Sequence, residues 1–203
     1  MTKKIAKLIS FLFHPLLIPS YVVLIMLFYN PYLNYLIPIN LKITILSIAF
    51  ILSYFIPGIL IVLMKKLNII SSIYIEKQEE RNLPLLLSCV SFYSAYYILK
   101  SLKLPFSIYN FLLIASALTL IALFLNLKIK ISLHSIGIGA FTAFVFSLKN
   151  YDSLFLFTLL SISILLSGLI LFARLKLNNH NLYQVVLGYF LGFLFSIIIL
   201  YLN

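Results

Sequence analysis

The sequence predicts an all-α, polytopic transmembrane bundle of six or seven spans, forming a single integral membrane domain over residues 1–203. Three observations predict it. The chain is 64% hydrophobic and only 9% charged, where a soluble domain carries about 25% charged residues. Its mean hydropathy is +1.16, too apolar for a water-soluble core of this size. The apolar residues also gather into seven runs, each judged against the roughly 20 residues that cross a bilayer as a helix.

The first run, 8–29, follows Lys3, Lys4 and Lys7 and is interrupted by Pro15 and Pro19, which places its first turns along the interface. No small-residue cleavage site follows it, so it reads as an uncleaved first segment and not a signal peptide. The second, 43–64, contains Pro57-Gly58 and is expected to kink there. The longest polar stretch, 65–82, comes next. Runs 83–99 and 108–127 follow, joined by the short loop 100–105. The fifth run, 132–148, is short and opens on Ser132-Leu133-His134. The last two are 154–173 and 182–202.

Composition excludes several functions. Cys89 is the single cysteine, so there is no disulfide framework and no thiolate metal cluster. His14, His134 and His180 are too far apart for a zinc motif; no metal or cofactor is implied. The net charge of +11 is scattered over short loops beside apolar runs, which answers to lipid and topology rules. The expected partner is the bilayer, not nucleic acid.

With seven spans, the N-terminus and the loops after the second, fourth and sixth runs share one side of the membrane. Three polar islands fall on that side: 76–81, 130–134 and 174–184. Convergence on one face is what a composite site requires. Lys3, Lys4, Lys7, Lys65, Lys66, Lys77, Arg81, Lys128, Lys130, Arg174 and Lys176 lie there; Lys42, Lys100, Lys103 and Lys149 lie opposite. The positive-inside rule then puts the islands in the cytoplasm. If run 8–29 only lies on the interface, six crossings remain and the islands turn outward.

Each island offers phosphate chemistry. Gln184 follows His180 by four residues, so on a helix it shares a face with it and can hold one ring nitrogen. Arg174 stands at the end of the sixth run. Ser132 and His134 open the fifth run behind Lys130, and free N–H groups at a helix start favour a phosphate. Lys77 and Arg81 are four apart and on a helix point together at an anion. Taken singly, each has a plainer explanation: helix-end cation, N-cap, or loop pairing with Glu76, Glu79 and Glu80. Together they give two histidines for nucleophile and proton donor, with cations for the equatorial oxygens.

The pattern resembles a divergent member of the type-2 phosphatidic acid phosphatase superfamily, which includes the vanadium haloperoxidases. That family carries Lys, six residues, Arg-Pro; then Pro-Ser-Gly-His; then Ser-Arg, five residues, His, three residues, Asp. Ala173-Arg174, five residues and His180 match the third part in spacing, and Ile131-Ser132-Leu133-His134 matches the second at Ser and His. Arg81, followed by Asn82-Leu83-Pro84, matches the first only loosely. The patches lie within residues 76–192.

The resemblance implies a metal-independent phosphatase acting on a lipid phosphate or diphosphate in a bacterial inner membrane. His180 would form a phosphohistidine and His134 would protonate the leaving group. Arg174, Ser132, Arg81, Lys77 and Lys130 would hold the phosphate, with Gln184 orienting His180. It also implies an outward, periplasmic site. One departure matters most: Gln184 replaces the family's Asp, so it can orient His180 but cannot stabilise its cation by charge. The alternative reading is a non-catalytic lipid-phosphate binder or transporter that retains the cation and histidine cluster.

Overall fold

In lipid a lone apolar segment satisfies its own N–H and C=O groups only as a helix. The computed structural model describes residues 1–148 and 153–202, and no strand occurs among them. The order is α1 (Lys3–Leu12), α2 (Ile18–Tyr29), α3 (Pro31–Leu36), α4 (Ile39–Phe50), α5 (Ile56–Lys66), α6 (Asn82–Ser101), α7 (Phe106–Asn126), α8 (Leu133–Ser147), α9 (Ser153–Lys176) and α10 (Leu182–Leu202). A π-helical turn, Ile51–Phe55, joins α4 to α5. Among the described residues five helices are long and apolar enough to cross a membrane: Ile39–Lys66, Glu79–Ser101, Phe106–Asn126, Leu154–Lys176 and Leu182–Leu202. This is a multi-pass helical membrane protein.

Two of the seven apolar runs form shorter helices. Run 132–148 becomes α8, whose 15 residues rise about 22 Å. Run 8–29 divides into α1 and α2, of 10 and 12 residues. The break falls at the first proline: Pro15 has no N–H to give, and it biases His14 away from helical backbone. Lys149, counted above on the opposite side, lies outside the described residues.

The π-helical turn has a local cause in Pro57, which cannot donate to the carbonyl four residues back and crowds it. The widened turn relieves that crowding, and the Ser91 hydroxyl of α6 donates to the Leu52 carbonyl inside it.

The chain groups into two compact units, Met1–Ile18 with Lys130–Asn203, and Pro19–Ile129. In the first, α8 packs against both α9 and α10, and α1 packs on α9. Helices α8 and α10 run parallel at close range. A Cβ on Gly192 would stand 2.1 Å from the Ile136 carbonyl oxygen, one on Gly139 would stand 2.2 Å from that of Tyr189, and one on Gly188 would stand 2.9 Å from that of Ser132. Gly188 and Gly192 form a G-x-x-x-G step, the spacing that lets membrane helices touch backbone to backbone. Across to α9, Thr142 Oγ1 and Ser167 Oγ share a 2.9 Å hydrogen bond.

In the second unit α6 packs along α7, with Cys89 Sγ 3.4 Å from Ser116 Oγ. Gln78 Nε2 donates to the Asn126 carbonyl at 2.6 Å, and Asn126 Nδ2 donates to the Gln78 carbonyl at 2.8 Å. That reciprocal pair fastens the 67–81 loop to the end of α7. Lys42 is buried, yet its ammonium donates to the Asn34 carbonyl at 2.7 Å and lies 5.3 Å from the Phe28 ring centroid. A buried cation needs such partners.

Candidate functional site

The site is built where four helix ends of the first unit come together: the ends of α1 and α9 and the starts of α8 and α10. Arg174 is in the last turn of α9 and is buried. Just past α9 the chain reverses at Asn178, whose φ of 56° is one that asparagine tolerates better than most residues. The reversal returns Asn179 to Arg174. With its amide oxygen turned to the guanidinium, Asn179 accepts from Arg174 Nη2 at 2.8 Å, and its nitrogen donates to the Leu177 carbonyl at 3.2 Å.

Helix α10 then begins with a capping box. Asn181 Oδ1 accepts from Gln184 N at 2.9 Å, and Gln184 Oε1 accepts from Asn181 N at 3.3 Å. The box fixes the Gln184 side chain, and the same Oε1 stands 3.1 Å from His180 Nδ1. The Lys130 carbonyl oxygen is 3.2 Å from that nitrogen. Both neighbours are acceptors, so Nδ1 carries the ring proton. In the neutral imidazole, Nε2 is then the basic, nucleophilic nitrogen. His180 itself is buried.

On the other side of the cluster stands Ser10, in the last turn of α1. Its hydroxyl accepts from Arg174 Nη1 at 3.4 Å, and its carbonyl oxygen lies 3.0 Å from His134 Nε2. A carbonyl in a last helical turn has no partner within the helix; His134 supplies one, and its Nε2 therefore bears the proton. The His14 ring meets that of His134 edge to face, 5.3 Å between centroids. His14 Nδ1 accepts from Leu16 N at 3.3 Å, which leaves the proton of the neutral ring on Nε2. The charge of Arg174 acts on both His14 and His134.

The structure thus brings Arg174, His134, His180, Gln184, Ser132 and the Lys130 backbone into one unit. Ser132 is fully buried and caps α8: its Oγ accepts from Ser135 N at 3.4 Å and pairs with Ser135 Oγ at 2.9 Å. Lys77 and Arg81 belong to the second unit. The helical spacing expected of them is not formed, because the local helix is a single 3-10 turn, Glu79–Arg81, that starts after Lys77. Lys77 is 3.5 Å from Glu80, and Arg81 Nε donates to the Ile75 carbonyl at 3.2 Å. Among the described residues no three His, Cys, Asp or Glu side chains converge as metal ligands would.

Compared with protein-family models, with curated proteins and with solved structures, the chain matches none.

Sequence reasoning missed Ser10, His14 and Asn179. His14 was hidden inside a run read as a span, although its place before Pro15 marks it as a turn residue. The Asn181-x-x-Gln184 capping signature was legible and would have predicted where Gln184 points.

Burial, and after it the Arg174 guanidinium, push His14 down to about 4 from the usual 6.5. The unfolded chain therefore takes up a proton there below pH 6.5 that the folded chain refuses until about pH 4. Stability is complete above that window and falls as pH drops through it, by up to about 3 kcal/mol. His14→Gln should flatten part of the fall in thermal midpoint between pH 6.5 and 4. Parallel curves for variant and wild type would show that His14 is not held neutral.

Proposed function

We propose that the protein is a membrane phosphatase that removes phosphate from a lipid phosphate or diphosphate through a phosphohistidine at His180. One observation carries this: two acceptors hold the Nδ1 proton of His180, leaving Nε2 as a nucleophile in a cluster with the buried Arg174. Residues 1–18 and 130–203 contain a single acidic side chain, Asp152, against seven lysines and arginines. A field of that sign favours an anionic ligand. The Nε2–P bond forms as the P–O bond to the lipid breaks, and the departing oxygen takes a proton from His134, which is imidazolium at that step. Water then splits the N–P bond, its hydroxyl going to phosphorus and one proton back to His134, and phosphate is released. Arg174 stabilises the equatorial oxygens. For His134 to act, its Nε2 proton must leave the Ser10 carbonyl.

The resemblance to type-2 phosphatidic acid phosphatases supports the same assignment and adds independence from metal. The test is phosphate release from phosphatidic acid, phosphatidylglycerol phosphate and isoprenyl diphosphate by the purified protein in detergent with EDTA. A requirement for a divalent ion would overturn the mechanism. The second reading, a binder without turnover, is favoured by the amide at Gln184 and by the engagement of His134 with Ser10. Lipid-phosphate binding without release from any of the three substrates would establish it.

A bacterial inner-membrane protein of seven crossings is our reading of the topology. In it α2 and α8 are short crossing segments. The contact of Ser10 with Arg174 supports an N-terminus on the site's side, as an odd number of crossings requires. Lys3, Lys4 and Lys7 then count with the islands, and charge favours a cytoplasmic site over the outward one that the resemblance implies. Labelling of Lys176→Cys in a Cys89→Ala background by an impermeant thiol reagent, in intact cells, would overturn the inward assignment.

A further inference from the structure

Helix α1 is too short to cross a bilayer: its 10 residues rise about 15 Å against a hydrocarbon core of about 30 Å. It begins firmly, with Thr2 Oγ1 accepting from Ile5 N at 3.4 Å, and its end is fixed in depth. Ser10 touches Arg174, in the last turn of a membrane-length helix, which is the level where hydrocarbon gives way to head groups. Around the helix three strips separate. Ala6 and Ser10 are buried against the protein. Ile5, Leu8 and Leu12, at i, i+3 and i+7, are 47%, 56% and 46% exposed. Lys3, Lys4 and Lys7 are exposed on the adjoining arc, where Phe11, 62% exposed, falls between Lys4 and Lys7. Four exposed apolar side chains beside three lysines, at interfacial depth, fit a bilayer surface of anionic lipid.

We propose that α1 lies in the membrane surface as an anchor for anionic head groups, its apolar strip among the acyl chains and its lysines on the phosphates. Because Ser10 contacts both Arg174 and His134, the anchor holds the wall of the candidate site at the head-group level. The assignment stands on α1 and its contact with the end of α9, and does not depend on phosphatase activity.

The chain has no tryptophan, so Leu8→Trp introduces a single reporter. The full-length variant is placed in nanodiscs of phosphatidylcholine alone or mixed with phosphatidylglycerol, with brominated acyl chains as quenchers. The expected result is blue-shifted emission quenched by the bromines in the anionic discs. Quenching should weaken in phosphatidylcholine discs and when Lys3, Lys4 and Lys7 are all changed to Gln, since each lysine contributes about fivefold to partitioning onto an anionic surface. Ile5→Trp, on the same strip, serves if Leu8→Trp does not fold. Emission that the bromines leave unquenched, marking a helix turned to water, would overturn the proposal. So would quenching indifferent to lipid charge and to the lysines.

Discussion

Replacement of His180 by alanine should end phosphate release, with a loss of about 10⁶-fold, the scale on which a covalent nucleophile is missed in a serine protease. Binding of a lipid phosphate should fall far less, because Arg174 is untouched. Gln184 makes the sharper companion. Its Oε1 accepts both from Asn181 N and at His180 Nδ1, and a carboxylate oxygen can accept both as well. Gln184→Asp is one methylene shorter but adds the charge that stabilises the cationic His180 ring as its Nε2 attacks phosphorus. Gln184→Glu keeps the reach and adds the same charge. One of the two acids should turn over faster than the wild type, whereas Gln184→Leu, which leaves the Nδ1 proton only the Lys130 carbonyl, should be slower. Phosphate release that persists in His180→Ala would discard the phosphohistidine. Equal rates in the acidic variants and Gln184→Leu would discard the orienting role of Gln184.

Gly192→Ala should separate α10 from α8. The added methyl would stand 2.1 Å from the Ile136 carbonyl oxygen and 2.9 Å from its carbon, so no rotamer can relieve it and a backbone has to move. Overpacking of this kind costs about 1–3 kcal/mol or more. The displacement reaches the site directly: α10 begins with the Asn181–Gln184 box that holds His180, and Ser132 at the head of α8 donates its N–H to the Gln184 carbonyl at 3.4 Å. Gly139→Ala should do the same, since its methyl would meet the Tyr189 carbonyl at 2.2 Å. Gly168 is the control, because nothing lies within 4 Å of a methyl there. Alanine at a mid-helix glycine of that kind adds up to about 1 kcal/mol of helix preference. The midpoint of thermal unfolding in detergent should therefore drop for Gly192→Ala and Gly139→Ala and hold or rise for Gly168→Ala. Equal midpoints for all three would mean that the α8–α10 contact is looser than described.

The sequence by itself determined that the chain is a helical membrane protein, and it located five of the long helices to within a few residues. Hydrophobicity and length are properties of single segments, readable without knowing their neighbours. It also singled out Arg174, His134, His180 and Gln184, because polar side chains are conspicuous in so apolar a chain. Tertiary structure alone decided three further matters. Run 8–29 divides because Pro15 breaks the helix, yet only packing shows that the first piece returns to Arg174 through Ser10. His134 is a partner for a carbonyl at the end of α1 as well as a histidine near Arg174, and no spacing within its own segment could say so. Gly139 and Gly192 meet backbone atoms of the opposite helix fifty or more positions away by sequence in one direction and the other. Each of these depends on which groups stand opposite, and an apolar pattern leaves that choice open because one greasy face packs acceptably on many others. Backbone contact at glycine and the pairing of buried polar groups are what make the choice.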